Sequence, residues 1–151
     1  MVGYRTMTTP AFPPPRRSPP AESLRIAIVD DEQLVRVSLR RYCCALGMSA
    51  VAYGGGRELL DALSARSDVP DCLLLDAHMP DMTGLDVQQQ LRRLSVQFPT
   101  IVYSADDEPE ARERYLAAGA AEYLRKPIGG DDLVAAIRRA MESRRVARRI
   151  A

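Results

Sequence analysis

Three acids, one hydroxyl and one ammonium stand where short apolar runs end: Asp30 and Asp31, Asp76, Ser104 and Lys126. Asp76 closes the run Cys72-Leu-Leu-Leu, and Pro80 and Gly84 then mark a loop before the next helical segment. Four apolar residues with no polar face read as a strand buried on both sides, as in parallel sheets. Open parallel sheets gather ligands at the carboxyl ends of their strands, so Asp76 is the candidate reacting group. A turn or helix-capping aspartate would explain that stretch alone equally well. The other strand ends break the tie. Asp30-Asp31-Glu32 follows Leu24–Val29, and three adjacent acids repel one another unless a cation or a helix N-terminus sits there. Capping accounts for Glu32 but less well for two consecutive aspartates.

Three carboxylates, a hydroxyl and an ammonium converging on one edge imply a specific chemistry. Oxygen ligands without nitrogen or sulfur favour a hard cation, and Mg²⁺ is the usual one beside a phosphoryl group. A carboxylate can attack phosphorus and become an aspartyl phosphate. A cation and the lysine would offset repulsion between Asp76 and the incoming group, and Ser104 would donate to a phosphoryl oxygen. Positioning and charge stabilisation carry most of phosphoryl transfer.

The elements that must hold these groups alternate. Leu24–Val29 is a strand, and Val35, Leu39, Tyr42, Cys43 and Leu46 fall on one helical face that ends at Gly47. Residues 48–53 form a weaker strand. Gly54-Gly55-Gly56 follows without G-x-G-x-x-G spacing or a P-loop lysine, and reads as a plain turn. A helix over 57–65 precedes the Asp76 strand. Leu85, Val87, Leu91 and Leu94 mark a third helix. Pro99–Tyr103 is the fourth strand, Ala111, Tyr115 and Ala118 the fourth helix, and Ala121–Leu124 the fifth strand. Leu133, Ala136, Ile137, Ala140 and Met141 stripe the last helix, opened by Asp131 and Asp132. Five β-α repeats predict an α/β fold with a parallel sheet and helices on both faces.

Bulk properties exclude several classes. The 151 residues carry a net charge of +1, so nothing drives the chain globally toward nucleic acid or a membrane. There is no Trp, aromatics make up 5%, and no apolar run reaches membrane-spanning length. One His and three scattered Cys argue against zinc and against a disulfide framework, which suits a reduced, cytoplasmic compartment. Most of the eleven prolines lie in residues 1–23, predicted as a disordered tail. Residues 24–143 form the predicted domain, and 144–151 a basic C-terminal tail.

The whole pattern resembles the receiver domain of bacterial two-component response regulators, the CheY-like superfamily. The resemblance rests on Asp30-Asp31, Cys72-Leu-Leu-Leu-Asp76 with Met79-Pro80 and Gly84, Ser104-Ala105, and Tyr123-Leu-Arg-Lys126-Pro127. Together, in order and at the expected spacing, they cover about 24–141. The resemblance implies a flavodoxin-like (βα)5 doubly wound sheet, order 2-1-3-4-5. It implies Asp76 as phosphoacceptor, with Asp30, Asp31, Asp76 and the main-chain carbonyl of His78 binding Mg²⁺. Lys126 would pair with the phosphoryl group, Ser104 would be the switch hydroxyl, and Tyr123 the aromatic that turns inward as Ser104 moves. The Lys126–Pro127 bond would be cis. His78 and Asp106 occupy variable positions beside the phosphoryl group and are expected to tune its hydrolysis.

The partners so implied are a sensor histidine kinase or histidine phosphotransfer protein and a downstream protein target. That target would read the helices flanking the fifth strand, which begin near Pro109 and Asp131. Read as a complete chain, this is a single-domain regulator. The other readings are a phosphorylation-independent binding module, the receiver part of a truncated transcriptional regulator, and a phosphohydrolase of haloacid-dehalogenase type. That hydrolase needs an acid two residues past the nucleophile, where this chain has His78. DNA binding through Arg144 to Arg149 is a minority reading, because no aromatic residue interleaves with the arginines.

Overall fold

The computed structural model describes residues 23–66 and 69–150. Except for Ser23, the expected proline-rich tail lies outside them. Strands β1 (Arg25–Val29), β2 (Ser49–Tyr53), β3 (Cys72–Asp76), β4 (Thr100–Ser104) and β5 (Glu122–Arg125) alternate with five helices. These are α1 (Gln33–Ala45), α2 (Gly56–Ser64), α3 (Gly84–Arg93), α4 (Pro109–Ala117) and α5 (Gly130–Ile150). The strands form one parallel sheet in the order β2-β1-β3-β4-β5. This is the flavodoxin-like arrangement that the resemblance implies.

Period-two alternation along each strand splits the interior into two cores. Ala27, Val29, Leu73, Leu75 and Val102 point to one face, where Leu59, Leu63, Val87, Leu91 and Tyr115 of α2, α3 and α4 cover them. Ile26, Ile28, Cys72, Leu74, Ile101 and Tyr103 point to the other, beneath Cys43 of α1 and Leu133, Ala136, Ile137 and Ala140 of α5. Strand β3 lies mid-sheet between the two and is buried at every residue. An unbroken apolar run is what a strand covered on both faces requires.

Two expectations change. Residues 144–150 of the expected basic tail are helical, because α5 continues unbroken to Ile150. Nothing in Ser143–Ile150 stops a helix, since neither Gly nor Pro occurs there, and the late arginines suit the helix C-terminus. The extension is also held from outside, because Arg144 Nη1 donates to the Asp71 carbonyl at 3.2 Å and lies 3.6 Å from its carboxylate. The glycine run is more than a plain turn. Gly56 opens α2, and a Cβ there would sit 2.6 Å from Val87 Cγ2, while one on Gly55 would sit 2.7 Å from the Asp81 carboxylate. The glycines let α2 press against α3 and the β3–α3 loop. Asp81 completes the junction by accepting from the Arg57 N–H at 3.0 Å.

No helix among the described residues is long and apolar enough to cross a membrane. The cysteines Cys43, Cys44 and Cys72 are all free thiols.

Candidate functional site

Parallel strands deliver their carboxyl ends to one edge, and the predicted groups meet there. Asp30 follows β1, Asp76 ends β3, Ser104 ends β4 and Lys126 follows β5. The registers Val29↔Leu75, Asp76↔Tyr103 and Ser104↔Arg125 set these ends side by side. Ligand oxygens of Asp30, Asp31 and Asp76 all lie within 4.8 Å of one another. Asp30 and Asp76 are buried and Asp31 is exposed, so the cluster opens to solvent on one side.

Two buried carboxylates this close need compensating charge. Lys126 supplies part of it, with Nζ 3.2 Å from Asp76 Oδ1 and 3.6 Å from Asp30 Oδ2. Burial opposes the ammonium charge, but Asp76 and Asp30 outweigh it and raise the Lys126 pKa. The compensation is incomplete. Burial, and then the Asp30 charge, push the Asp76 carboxyl up to about 6 despite Lys126. An all-oxygen site with surplus negative charge has the donor chemistry of a hard divalent cation.

The backbone fixes the acids further. Asp30 Oδ1 accepts from the Glu32 N–H at 2.8 Å, and Asp76 Oδ1 from the His78 N–H at 3.4 Å. Arg36, in the first turn of α1, donates to the Asp30 carbonyl at 2.8 Å.

The switch candidates sit beside the acids. Ser104 is fully buried, and its Oγ accepts from the Asp106 N–H at 3.0 Å. Tyr123 is buried, with its hydroxyl 3.4 Å from the Asp106 carbonyl. His78 Nε2 lies 3.7 Å from Asp106 Oδ2, so these two side chains span from the β3–α3 loop to the β4–α4 loop. The Lys126–Pro127 bond is cis, as the resemblance implies.

Two tyrosines escaped the sequence reading. Tyr103 is fully buried, and its hydroxyl donates to Asp30 Oδ2 at 2.9 Å. Its ring centroid lies 5.1 Å from Lys126 Nζ. Burial first, and then the Asp30 charge, raise its pKa, so it stays a neutral donor. Its place one residue before Ser104, at a strand end, was the available signal. Tyr115 falls on the apolar stripe of α4. Its hydroxyl also donates to the Ala77 carbonyl at 3.1 Å, one residue past Asp76. Nothing in the local sequence identifies that distant acceptor.

Residues 26–138 match the family described as response regulator receiver domain. The chain is 42% identical over 116 residues to response regulator MprA of Mycobacterium tuberculosis, covering 77% of this chain and 50% of that one. MprA of Mycolicibacterium vanbaalenii is 42% identical over 115 residues, 76% of this chain and 49% of that one. The chain therefore spans about half the length of these curated relatives. Among solved structures, a response regulator receiver protein from Burkholderia phymatum matches at 36% identity with a TM-score of 0.71, covering 80% of this chain and 96% of that one. The structure of FixJ-N matches at 27% identity and a TM-score of 0.73, covering 80% and 95%.

Proposed function

The chain belongs to the response regulator receiver domain family, and we propose that Asp76 accepts a phosphoryl group from a phosphohistidine of a sensor histidine kinase or histidine phosphotransfer protein. An Asp76 oxygen bonds to phosphorus as the P–N bond breaks and the histidine nitrogen leaves. The observation that carries this reading is the pairing of Asp76 with Lys126 inside a cluster of acids whose charge Lys126 alone does not balance.

Asp30, Asp31 and Asp76, with the main-chain carbonyl of His78, suit Mg²⁺. A bound Mg²⁺ would supply positive charge to offset these carboxylates and an incoming phosphoryl group. Lys126 pairs with a phosphoryl oxygen, and the Ser104 hydroxyl donates to another after giving up the Asp106 N–H. Tyr123 already points inward and follows the Ser104 loop through its bond to the Asp106 carbonyl. His78 and Asp106 tune hydrolysis of the aspartyl phosphate by governing where water stands.

The output is a change of surface that a protein partner reads on α4, β5 and α5, the elements around Tyr123. Three free thiols support a reduced, cytoplasmic compartment.

The test is intact mass after incubation with Mg²⁺ and a small acyl phosphate, for wild type and Asp76→Asn. A single phosphoryl adduct on wild type only is the expected result. No adduct on folded, Mg²⁺-treated wild type would overturn the reading and leave a binding module that works without phosphorylation.

A further inference from the structure

Helix α4 is held to the domain by little. Ala111 and Tyr115 are its buried residues, and its other seven face solvent. Ala111 contributes a methyl group, so Tyr115 supplies most of the buried surface. Its ring reaches to the β3–α3 loop, where a Cβ on Gly84 would lie 3.0 Å from Tyr115 Cε1. The glycine leaves room for the ring. The Tyr115 hydroxyl donates to the Ala77 carbonyl at 3.1 Å, and the same oxygen accepts from the Gly84 N–H at 3.0 Å. Ala77 lies between Asp76 and His78. The Tyr115 ring also meets that of Tyr123 at 5.7 Å between centroids. Tyr123 in turn bonds the loop after Ser104.

We infer that Tyr115 is a positioning residue that joins the Asp76–His78 backbone directly to α4, so that a change at Asp76 moves the helix through one side chain. The inference rests on the reading of Asp76 and its acids as the functional site. The path runs from Asp76 through the Ala77 carbonyl to the Tyr115 hydroxyl, and from the Tyr115 ring to the rest of α4. Its span from β3 to α4 is 38 residues in sequence and one hydrogen bond in space. A cation or phosphoryl group that draws on the Asp76 carboxylate and the His78 carbonyl alters the Ala77 carbonyl between them. Because α4 has no other large buried side chain, it follows its anchor rather than resisting it. The coupling works in both directions, so a partner that clamps α4 also stiffens the loop beneath Asp76.

Tyr115→Phe tests this by keeping the ring and deleting the donor. Backbone amide resonances of ¹⁵N-labelled wild type and variant are followed through a Mg²⁺ titration, and again after a small acyl phosphate. In wild type both additions should shift residues 76–78 and 110–117. In Tyr115→Phe the shifts at 76–78 should persist while those at 110–117 fall to less than half. Full α4 shifts in the variant would overturn the inference, and so would wild-type α4 signals that ignore both additions. Intact mass on the same samples keeps the two ideas apart. A missing adduct would refute the proposed phosphoacceptor, and the Mg²⁺ titration would still decide the role of Tyr115.

Discussion

Lys126 Nζ lies 3.2 Å from Asp76 Oδ1, and it is the sole cation within ion-pair distance of either buried acid among the described residues. Removing one partner of a buried pair is costly because the other charge is left uncompensated, by about 3–5 kcal/mol when burial is complete. Lys126 keeps 23% of its side-chain surface exposed, so screening reduces that figure. Lys126→Met should lower stability by about 1–3 kcal/mol in chelator-treated buffer. Mg²⁺ should then raise its melting temperature more than that of wild type, because the ion replaces the lost charge. Thermal melts with and without Mg²⁺ check this, and equal Mg²⁺ shifts in the two proteins would refute it.

Asp76 gives a pH dependence of definite sign. Its carboxyl is pushed up from 3.8 to about 6, by burial first and the Asp30 charge second. Between those values the folded chain holds a proton that the unfolded chain has released. Stability from this group therefore falls as pH rises through the window, and the full penalty stands above it. That rise corresponds to roughly 3 kcal/mol at most. Asp76→Asn removes the charge and keeps the shape. In metal-free buffer at about pH 7.5 it should be about 1–3 kcal/mol more stable than wild type, with the gain shrinking toward about pH 4. Urea titrations at several pH values read this directly, and a gain that grew on acidification would contradict it.

Tyr103 makes a third case, because its acceptor is a buried anion. Hydrogen bonds to charged groups contribute about 1.5–3 kcal/mol, and an unmade one costs at least as much. Tyr103→Phe keeps the ring beneath Lys126 and deletes the donor to Asp30. It should cost about 1.5–3 kcal/mol in metal-free buffer by urea unfolding. A loss under about 0.5 kcal/mol, the range of ordinary surface changes, would show that the hydroxyl does not hold Asp30.

The parts of this structure that local chemistry determines were legible in the sequence. The unbroken run Cys72–Leu75 reads as a doubly covered strand, and β3 is one. Polar residues at strand ends read as one constellation, since parallel strands share a C-terminal edge. What stayed hidden depends on distant partners. The hydroxyl targets of Tyr103 and Tyr115 lie 73 and 38 residues away. The end of α5 is not legible in the sequence, because the apolar stripe fades at Met141 while the helix continues, tied down by Arg144 and Asp71. Gly55 and Gly56 looked like turn residues because the surfaces they make room for, Asp81 and Val87, come from elsewhere in the chain.

That last contact gives a packing prediction. A methyl group on Gly56 would lie 2.6 Å from Val87 Cγ2, well inside contact distance, and Val87 is fully buried. Overfilling a packed core costs about 1–3 kcal/mol. Gly56→Ala should lose that much. Val87→Ala alone should also destabilise, by leaving a cavity. The double substitution should lose less than the two single losses together, because each relieves the other. Strictly additive losses would mean that the two positions do not meet.

The tuning role proposed for His78 and Asp106 predicts a change in how long a phosphoryl group survives. Their side chains lie 3.7 Å apart and reach from the two loops that flank Asp76 and Ser104. His78 is well exposed and Asp106 partly so, which makes their contribution to stability small. Substituting His78 by Gln and Asp106 by Asn, which keeps the Asp106 Oδ1 acceptor for the Glu108 N–H, should therefore leave the melting temperature nearly unchanged. On the role proposed for them, the aspartyl phosphate half-life should nevertheless change several-fold. Phosphorylated protein freed of donor, sampled over time by intact mass, measures that half-life. An unchanged half-life in the double variant would remove both residues from any part in hydrolysis. A changed half-life with an unchanged melting temperature would separate control of water from support of the fold.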